Sequence, residues 1–304
     1  MHATNRQKMK WFLIVALSGV MGPAISQAEE VTAPGAKLVL VADGFRFTEG
    51  PAVDKTGDVY FTDQPNDAIH RWIAAENRVE KYLSPSGRSN GTYFMRDGHL
   101  VACADEKNQL WVIAPDQSVK VLAETYGGKP FNGPNDAWVM EDGTIFFTDP
   151  FYKRPWWTHT EEPQDMRAVY RYQPTTGEVT RVAEGFKQPN GIVGDEARGR
   201  LYVADIEGNQ TLEFKISPQR ELTDRRVFCP QGSDGMTLDR DGNLYLTGKA
   251  GVYVYSPEGK LIQTIEVPES WTANVCFGGA DRKQLFITAS DSVYTIATRT
   301  QGLP

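Results

Sequence analysis

The sequence predicts an all-β fold, a six-bladed β-propeller whose N-terminal strand closes the last blade. Three observations predict it. A polar residue recurs at Glu49, Asn90, Asn135, Asn190, Asp234 and Asn274, at intervals of 41, 45, 55, 44 and 40 residues. Each is followed 14 or 15 positions later by the end of a hydrophobic strand, at Asp63, Asp105, Asp149, Asp205, Gly248 and Ala289. No long stretch spaces its apolar residues at the helical period. Strands and Gly turns repeating at this period are the pattern of radial blades, which converge on one axis. Residues spread over 225 positions are thereby expected at one point in space.

The elements follow in order. Residues 1–28 read as a secretory signal peptide: Arg6, Lys8 and Lys10 precede an apolar run from Trp11 to Val20, and Ser26-Gln27-Ala28 offers small residues before a cut at Glu29. The run is too short to span a bilayer comfortably, and nothing later reads as a transmembrane helix. Residues 29–304 are read as one propeller domain with no composition break. Lys37–Val41 has no blade of its own and is expected to add an outer strand to the last blade, near Ser292–Ile296. In the first repeat the turn Lys55-Thr56-Gly57 separates Glu49–Asp54 from the strand Asp58–Asp63. The third and fifth repeat the plan with Asp142-Gly143 before Ile145–Asp149 and Asp241-Gly242 before Leu244–Thr247. Asp-Gly between short apolar runs is a strong hairpin signal, because Gly accepts a positive φ. The longest interval, Asn135 to Asn190, carries an aromatic insertion, Phe151–His159, of the kind that covers a site.

Composition excludes several function classes. The chain has 32 basic and 39 acidic residues. Removing the leader leaves a net charge of −10 and no basic patch, which argues against nucleic acid or anionic membranes as partners. Three cysteines, Cys103, Cys229 and Cys276, leave at least one unpaired. The protein reads as exported but not disulfide-dependent, which fits a Gram-negative periplasm. There is no HExxH, CxxC, GxSxG or GxxxxGK[ST] motif.

The remaining polar constellation is the repeated anchor set. Two carboxylates and two carboxamides converging on an axis would need a cation or a proton. Hard oxygen donors suit Ca²⁺, with Mg²⁺, Mn²⁺ or Zn²⁺ as alternatives. Asn, Asp and Glu beside Gly also serve as turn residues, so spacing alone leaves both readings open. Asn90 and Asn274 read as turn residues or pocket lining. Asp63, Asp149 and Asp205 read as structural, bonding across hairpins between blades.

At these residues the chain resembles a known family. Thr48-Glu49-Gly50-Pro51, Gly133-Pro134-Asn135-Asp136, Pro189-Asn190-Gly191 and Ser233-Asp234-Gly235-Met236 are similar to motifs of the SMP-30/gluconolactonase/luciferin-regenerating-enzyme family, in order, from about residue 40 to 297. The resemblance implies a six-bladed propeller with a divalent cation in its channel. Carried over, Glu49, Asn190 and Asp234 match the family's metal-binding residues. Asn135 matches a position that either completes the metal shell or contacts substrate. Asp234 also matches the proposed general base. Asp136 matches an acidic residue near the pocket, with a turn-stabilising role as the other reading. Animal members carry a substrate-contacting Arg where this chain has Gly133, so another residue must recognise a sugar lactone here.

The expected activity is hydrolysis of a lactone, a sugar lactone or related cyclic ester, by metal-assisted water attack. Asp234 would take the proton, with Asp136 in reserve. Asn135, Asp136, Asn90, Phe131, Tyr152, Trp156 and Trp157 are the expected substrate contacts, although aromatics in propellers also pack blades. The same shell would support hydrolysis of organophosphates or aryl esters, and a non-catalytic periplasmic binding propeller is the alternative of another class. A strictosidine-synthase-like role fits the ligand pattern poorly.

Overall fold

The computed structural model describes residues 30–303 and His2. The leader expected at residues 1–28 lies outside the described residues apart from His2. Six four-stranded antiparallel sheets form the blades. The first runs from hub to rim as Thr48–Val53, Val59–Asp63, Ala68–Ile73 and Arg78–Leu83. The other inner strands are Ser89–Phe94, Ala137–Val139, Pro189–Asp195, Met236–Leu238 and Thr272–Gly278. Each touches the inner strands of both neighbours, and Thr272–Gly278 meets Thr48–Val53 to close the ring. Val39–Ala42 pairs antiparallel with Ser292–Ala297 at the rim of the last blade, with Leu40 opposite Tyr294, as the sequence predicts. Strands from the two ends of the chain thus share one sheet, which closes the ring. No helix among the described residues is long and apolar enough to cross a membrane.

Burial falls from hub to rim. Ser89–Phe94 and Pro189–Asp195 are buried along most or all of their length, whereas Leu222–Cys229 is largely exposed. The core lies between blades, where β-branched and aromatic residues on facing sheets interlock. Val59, Phe61 and Trp72 of blade 1 pack on Phe286 and Val293 of blade 6, and Trp138 and Phe146 of blade 3 pack on Ile192 and Leu201 of blade 4. Burying one such side chain contributes about 1.5–3 kcal/mol. All three cysteines are buried free thiols.

Local chemistry aims the anchors. In blades 1, 2, 4 and 6 the pairing of the inner strand slips beside the anchor, at Glu49, Asn90, Asn190 and Asn274. A bulge of this kind breaks the pleat and re-aims a side chain. Glycine follows the anchor in four blades, at Gly50, Gly91, Gly191 and Gly235. A Cβ on Gly235 would stand 1.9 Å from Asn274 Cγ. The hub is too narrow there for a second ring of side chains. Threonine hydroxyls then tie alternate pairs of blades: Thr62 donates to Asn90 O (3.0 Å), Thr148 to Asn190 O (2.7 Å) and Thr247 to Ala273 O (2.7 Å).

The strand-end aspartates work within a blade, not between blades as the sequence reading expected. Asp63 accepts from Arg46 N and Phe47 N, Asp149 from Asn132 N and Gly133 N, and Asp205 from Lys187 N and Gln188 N. Each carboxylate folds the loop that leads into its own inner strand. Asp205 also accepts from Gly208 N at 3.1 Å. Asp205→Ala strands three backbone donors and should lower the unfolding free energy by about 3 kcal/mol, read from urea denaturation.

Candidate active site

Glu49, Asn190 and Asp234 converge at the hub, although 185 residues separate the first from the last. Glu49 and Asn190 are each 2 % exposed, while Asp234 is only partly buried. Asn190 Nδ2 donates to Asp234 Oδ1 at 2.8 Å and to the Tyr152 hydroxyl at 2.6 Å. Trp271 Nε1 donates to the other oxygen of Asp234 at 2.6 Å. Glu49 Oε2 accepts from Gly50 N at 3.0 Å and from Asn274 Nδ2 at 3.4 Å. Asn135 stands on the same ring, 3 % exposed, and its carbonyl accepts from Gly91 N at 2.7 Å. Asn90 is buried too, with its carbonyl engaged by Thr62.

The electrostatics of this cluster are those of buried, mutually repelling carboxylates. Burial, and then the charge of Asp234, push Glu49 well above the usual carboxylate range. Burial pushes Asp234 up to about 6, against hydrogen bonds from Trp271 and Asn190. Burial pushes Asp136 up to about 7. Asp136 differs from Asp234 in access: it is 6 % exposed, and its oxygens accept Ala137 N at 2.9 Å and Ile192 N at 3.3 Å. Among the described residues no three His, Cys, Asp or Glu side chains are grouped to hold a metal ion by themselves. The donor set here is mixed, two carboxylates with carboxamides. That chemistry fits a hard cation, which would offset the charge that burial and repulsion now penalise.

The insertion within blade 3, between Ile145–Asp149 and Ala168–Gln173, reaches the hub. Tyr152 meets Asn190 through its hydroxyl. Trp157 Nε1 donates to Asp105 O at 2.6 Å, and its ring stacks on His159, centroids 4.8 Å apart. Trp156 lies under the guanidinium groups of Arg88 and Arg154. These three aromatics stay together in the insertion. Phe131 does not join them. It is fully buried between Phe147 and Tyr170 in the core of blades 2 and 3, so the expectation that it lines the pocket is corrected. Its ring faces inward because the edge-on fit to Tyr170 fills that wedge.

Three further residues belong to the site. Trp271 holds Asp234, and the partly buried Arg154 forms an ion pair with the buried Asp105 at 2.7 Å beside Tyr152. Their roles depend on contacts across 37 and 49 residues of sequence. The available signal was a basic residue inside an otherwise aromatic insertion. Trp271→Phe removes a hydrogen bond to a charged group, worth about 1.5–3 kcal/mol. A lowered kcat together with a melting temperature lower by a few degrees is the expected result, from steady-state kinetics and thermal denaturation.

Fold and hub together define a class: six-bladed propellers that present carboxylate and carboxamide oxygens on the axis. The chain belongs to the SMP-30/gluconolactonase/LRE-like family, whose model matches residues 47–291. It is 27 % identical to a gluconolactonase of Zymomonas mobilis, over 92 % of this chain and 85 % of that one. It is 24 % identical to diisopropyl-fluorophosphatase of Loligo vulgaris, over 80 % of this chain and 86 % of that one. Among solved structures, a gluconolactonase of Xanthomonas campestris superposes with a TM-score of 0.82 at 27 % identity, covering 88 % of this chain and 91 % of that one.

Proposed function

We propose that this protein is a divalent-cation-dependent hydrolase that opens a lactone, acting in the periplasm after loss of the leader. The observation that carries the reading is the meeting of Glu49, Asn190 and Asp234 at the hub of a chain similar to gluconolactonases. Glu49, Asn190 and Asp234 would hold the cation, Ca²⁺ by preference, with Asn135 completing the shell or touching substrate. A cation bound there supplies Lewis-acid help to the ester carbonyl, typically several kcal/mol. The chain's own groups do the rest. Asn190 and Trp271 each donate to one oxygen of Asp234, which fixes the carboxylate plane. Asp234 is the accessible carboxylate, so it is the group placed to take a proton from the attacking water. Asp136, with both oxygens tied to backbone amides, positions the hub instead. Tyr152, Trp156 and Trp157 exclude bulk water from one wall.

A panel of lactones and aryl esters, assayed after chelation and again with Ca²⁺ or Mn²⁺ restored, tests the reading. Turnover that chelation abolishes and the cation restores is expected. Turnover indifferent to chelation, or none with any substrate, removes it. Similarity to diisopropyl-fluorophosphatase makes organophosphate ester cleavage the second reading, and the same panel separates the two when a fluorophosphate is included.

The carboxylates also set a pH dependence. Asp234 and Asp136 stand above their ordinary 3.8, at about 6 and 7, so the cation-free fold takes up protons. Their stabilising contribution is present at low pH and lost as pH rises through those values. A cation replaces the protons, so its benefit grows with pH. The rise in melting temperature on adding Ca²⁺ should be larger at about pH 8 than at about pH 5. An equal rise at both would contradict this.

A further inference from the structure

We propose that Arg154 determines substrate specificity at this site, its guanidinium Nη groups binding the hydroxyl oxygens of a polyhydroxylated lactone ring. The inference rests on the hydrolase reading and deepens it.

The first argument is the exception that blade 2 makes. In blades 1, 3 and 4 the strand-end aspartate is consumed by backbone amides of its own loop. In blade 2 that duty passes to Asp67, whose Oδ1 accepts Ser86 N at 2.9 Å and Arg88 N at 2.7 Å. Asp105 is thereby released. It is 2 % exposed as a side chain, accepts Gln64 Nε2 at 2.9 Å, and lies 2.7 Å from Arg154 Nε. A buried carboxylate spared from loop folding and paired with one arginine is a holder for that arginine.

The second argument is where the arginine is held. Its guanidinium carbon lies 5.0 Å from the centroid of Tyr152 and 5.7 Å from that of Trp156. The hydroxyl of the same Tyr152 receives Asn190, so Arg154 is one ring away from the hub. Its charge reaches Asp234 and opposes the upward push of burial there. Asp105 and the two rings fix the Nε edge and the faces, and the Nη edge is left for a ligand.

The third argument is Gly133. Its φ is +147°, and a Cβ there would stand 2.8 Å from the Trp157 ring and 3.0 Å from Asp105 Oδ1. A side chain at that position is strained and blocked. The insertion that blocks it brings its own guanidinium to the same corner.

The chemistry selects the ligand. Asp105 neutralises Arg154, so the pair carries no net charge with which to draw an anion. It offers a rigid fork of N–H donors between aromatic faces. That arrangement matches neutral oxygen acceptors on a ring whose C–H face can lie on an aromatic, the pattern of a sugar lactone. An alkyl lactone would leave the Nη donors without a ring hydroxyl to bind, and a site built to hydrogen-bond a hydroxyl discriminates against the analogue lacking it.

The test compares kcat/KM for D-gluconolactone and δ-valerolactone, the second having no hydroxyls, with cation supplied. The wild-type protein should prefer the first by about tenfold or more. R154K, which keeps the charge and loses the fork, should reduce that preference about tenfold. D105N, which unfastens the arginine, should reduce it as well, and this decides the matter should R154K not fold. No preference in the wild type, or equal losses on both lactones in a folded variant, overturns the role of Arg154 and leaves the hydrolase reading intact. Hydrolysis of neither lactone by the wild type would overturn this inference, and the hydrolase reading falls with it only if the wider panel of lactones and esters is inert as well.

Discussion

Glu49→Gln and Asp234→Asn should each abolish lactone turnover, lowering kcat/KM by about 10²–10³-fold or more, while the propeller stays folded. Both replacements keep shape and hydrogen-bonding capacity. At position 49 the new amide oxygen could still accept from Gly50 N, and at position 234 it could still accept from Trp271 Nε1. What each removes is one negative charge at a point where Glu49 already feels Asp234 and Asp136. The sign of the stability change therefore depends on the cation. In its absence the variants should melt at or above the wild type, because repulsion between buried carboxylates is relieved. In its presence the wild type should rise and the variants should not. Parallel melts with chelator and with Ca²⁺, alongside kinetics, read both effects. A variant with full turnover, or with an undiminished Ca²⁺ shift, would remove the hub from the mechanism.

Gly50→Ala should be the most damaging single methyl group in the molecule, costing about 3–5 kcal/mol. The backbone of Gly50 has φ +42°, and a Cβ would meet Asn90 O at 2.0 Å and Gly91 Cα at 2.7 Å. Both are backbone atoms of the neighbouring blade, so no side chain can turn aside. Relief would require the first two blades to separate where Thr62 and Thr92 tie them, through Asn90 O and Gly50 O. Glu49 would be displaced with the strand. Urea denaturation should show the loss, and Ca²⁺ should recover less of it than in the wild type. Wild-type stability in this variant would mean that the hub is looser than these distances describe.

Much of this was legible in the chain itself. The anchors stand at the starts of the inner strands, the glycines of the Asp-Gly turns at 143 and 242 have φ of +84° and +88°, and the N-terminal strand lies on the last blade. These are local or periodic signals, written in alternation, turn residues and a stride near one blade. Side-chain direction was a different matter. Phe131 and Trp157 are both aromatics near blade 3, yet one fills a core wedge and the other donates to Asp105 O. Asp63 and Asp105 occupy the same register, yet one folds its own loop and the other holds an arginine.

The sequence by itself determined the number of blades, the closure of the ring and the register of the polar anchors, because repetition is one-dimensional information. Only the tertiary structure decided that Trp271 and Asn190 orient Asp234, and that Asp105 pairs with Arg154. The physical reason is that a propeller places neighbours by angle around an axis, so each partnership depends on which surfaces fill a wedge and which hydrogen-bond donors are left over.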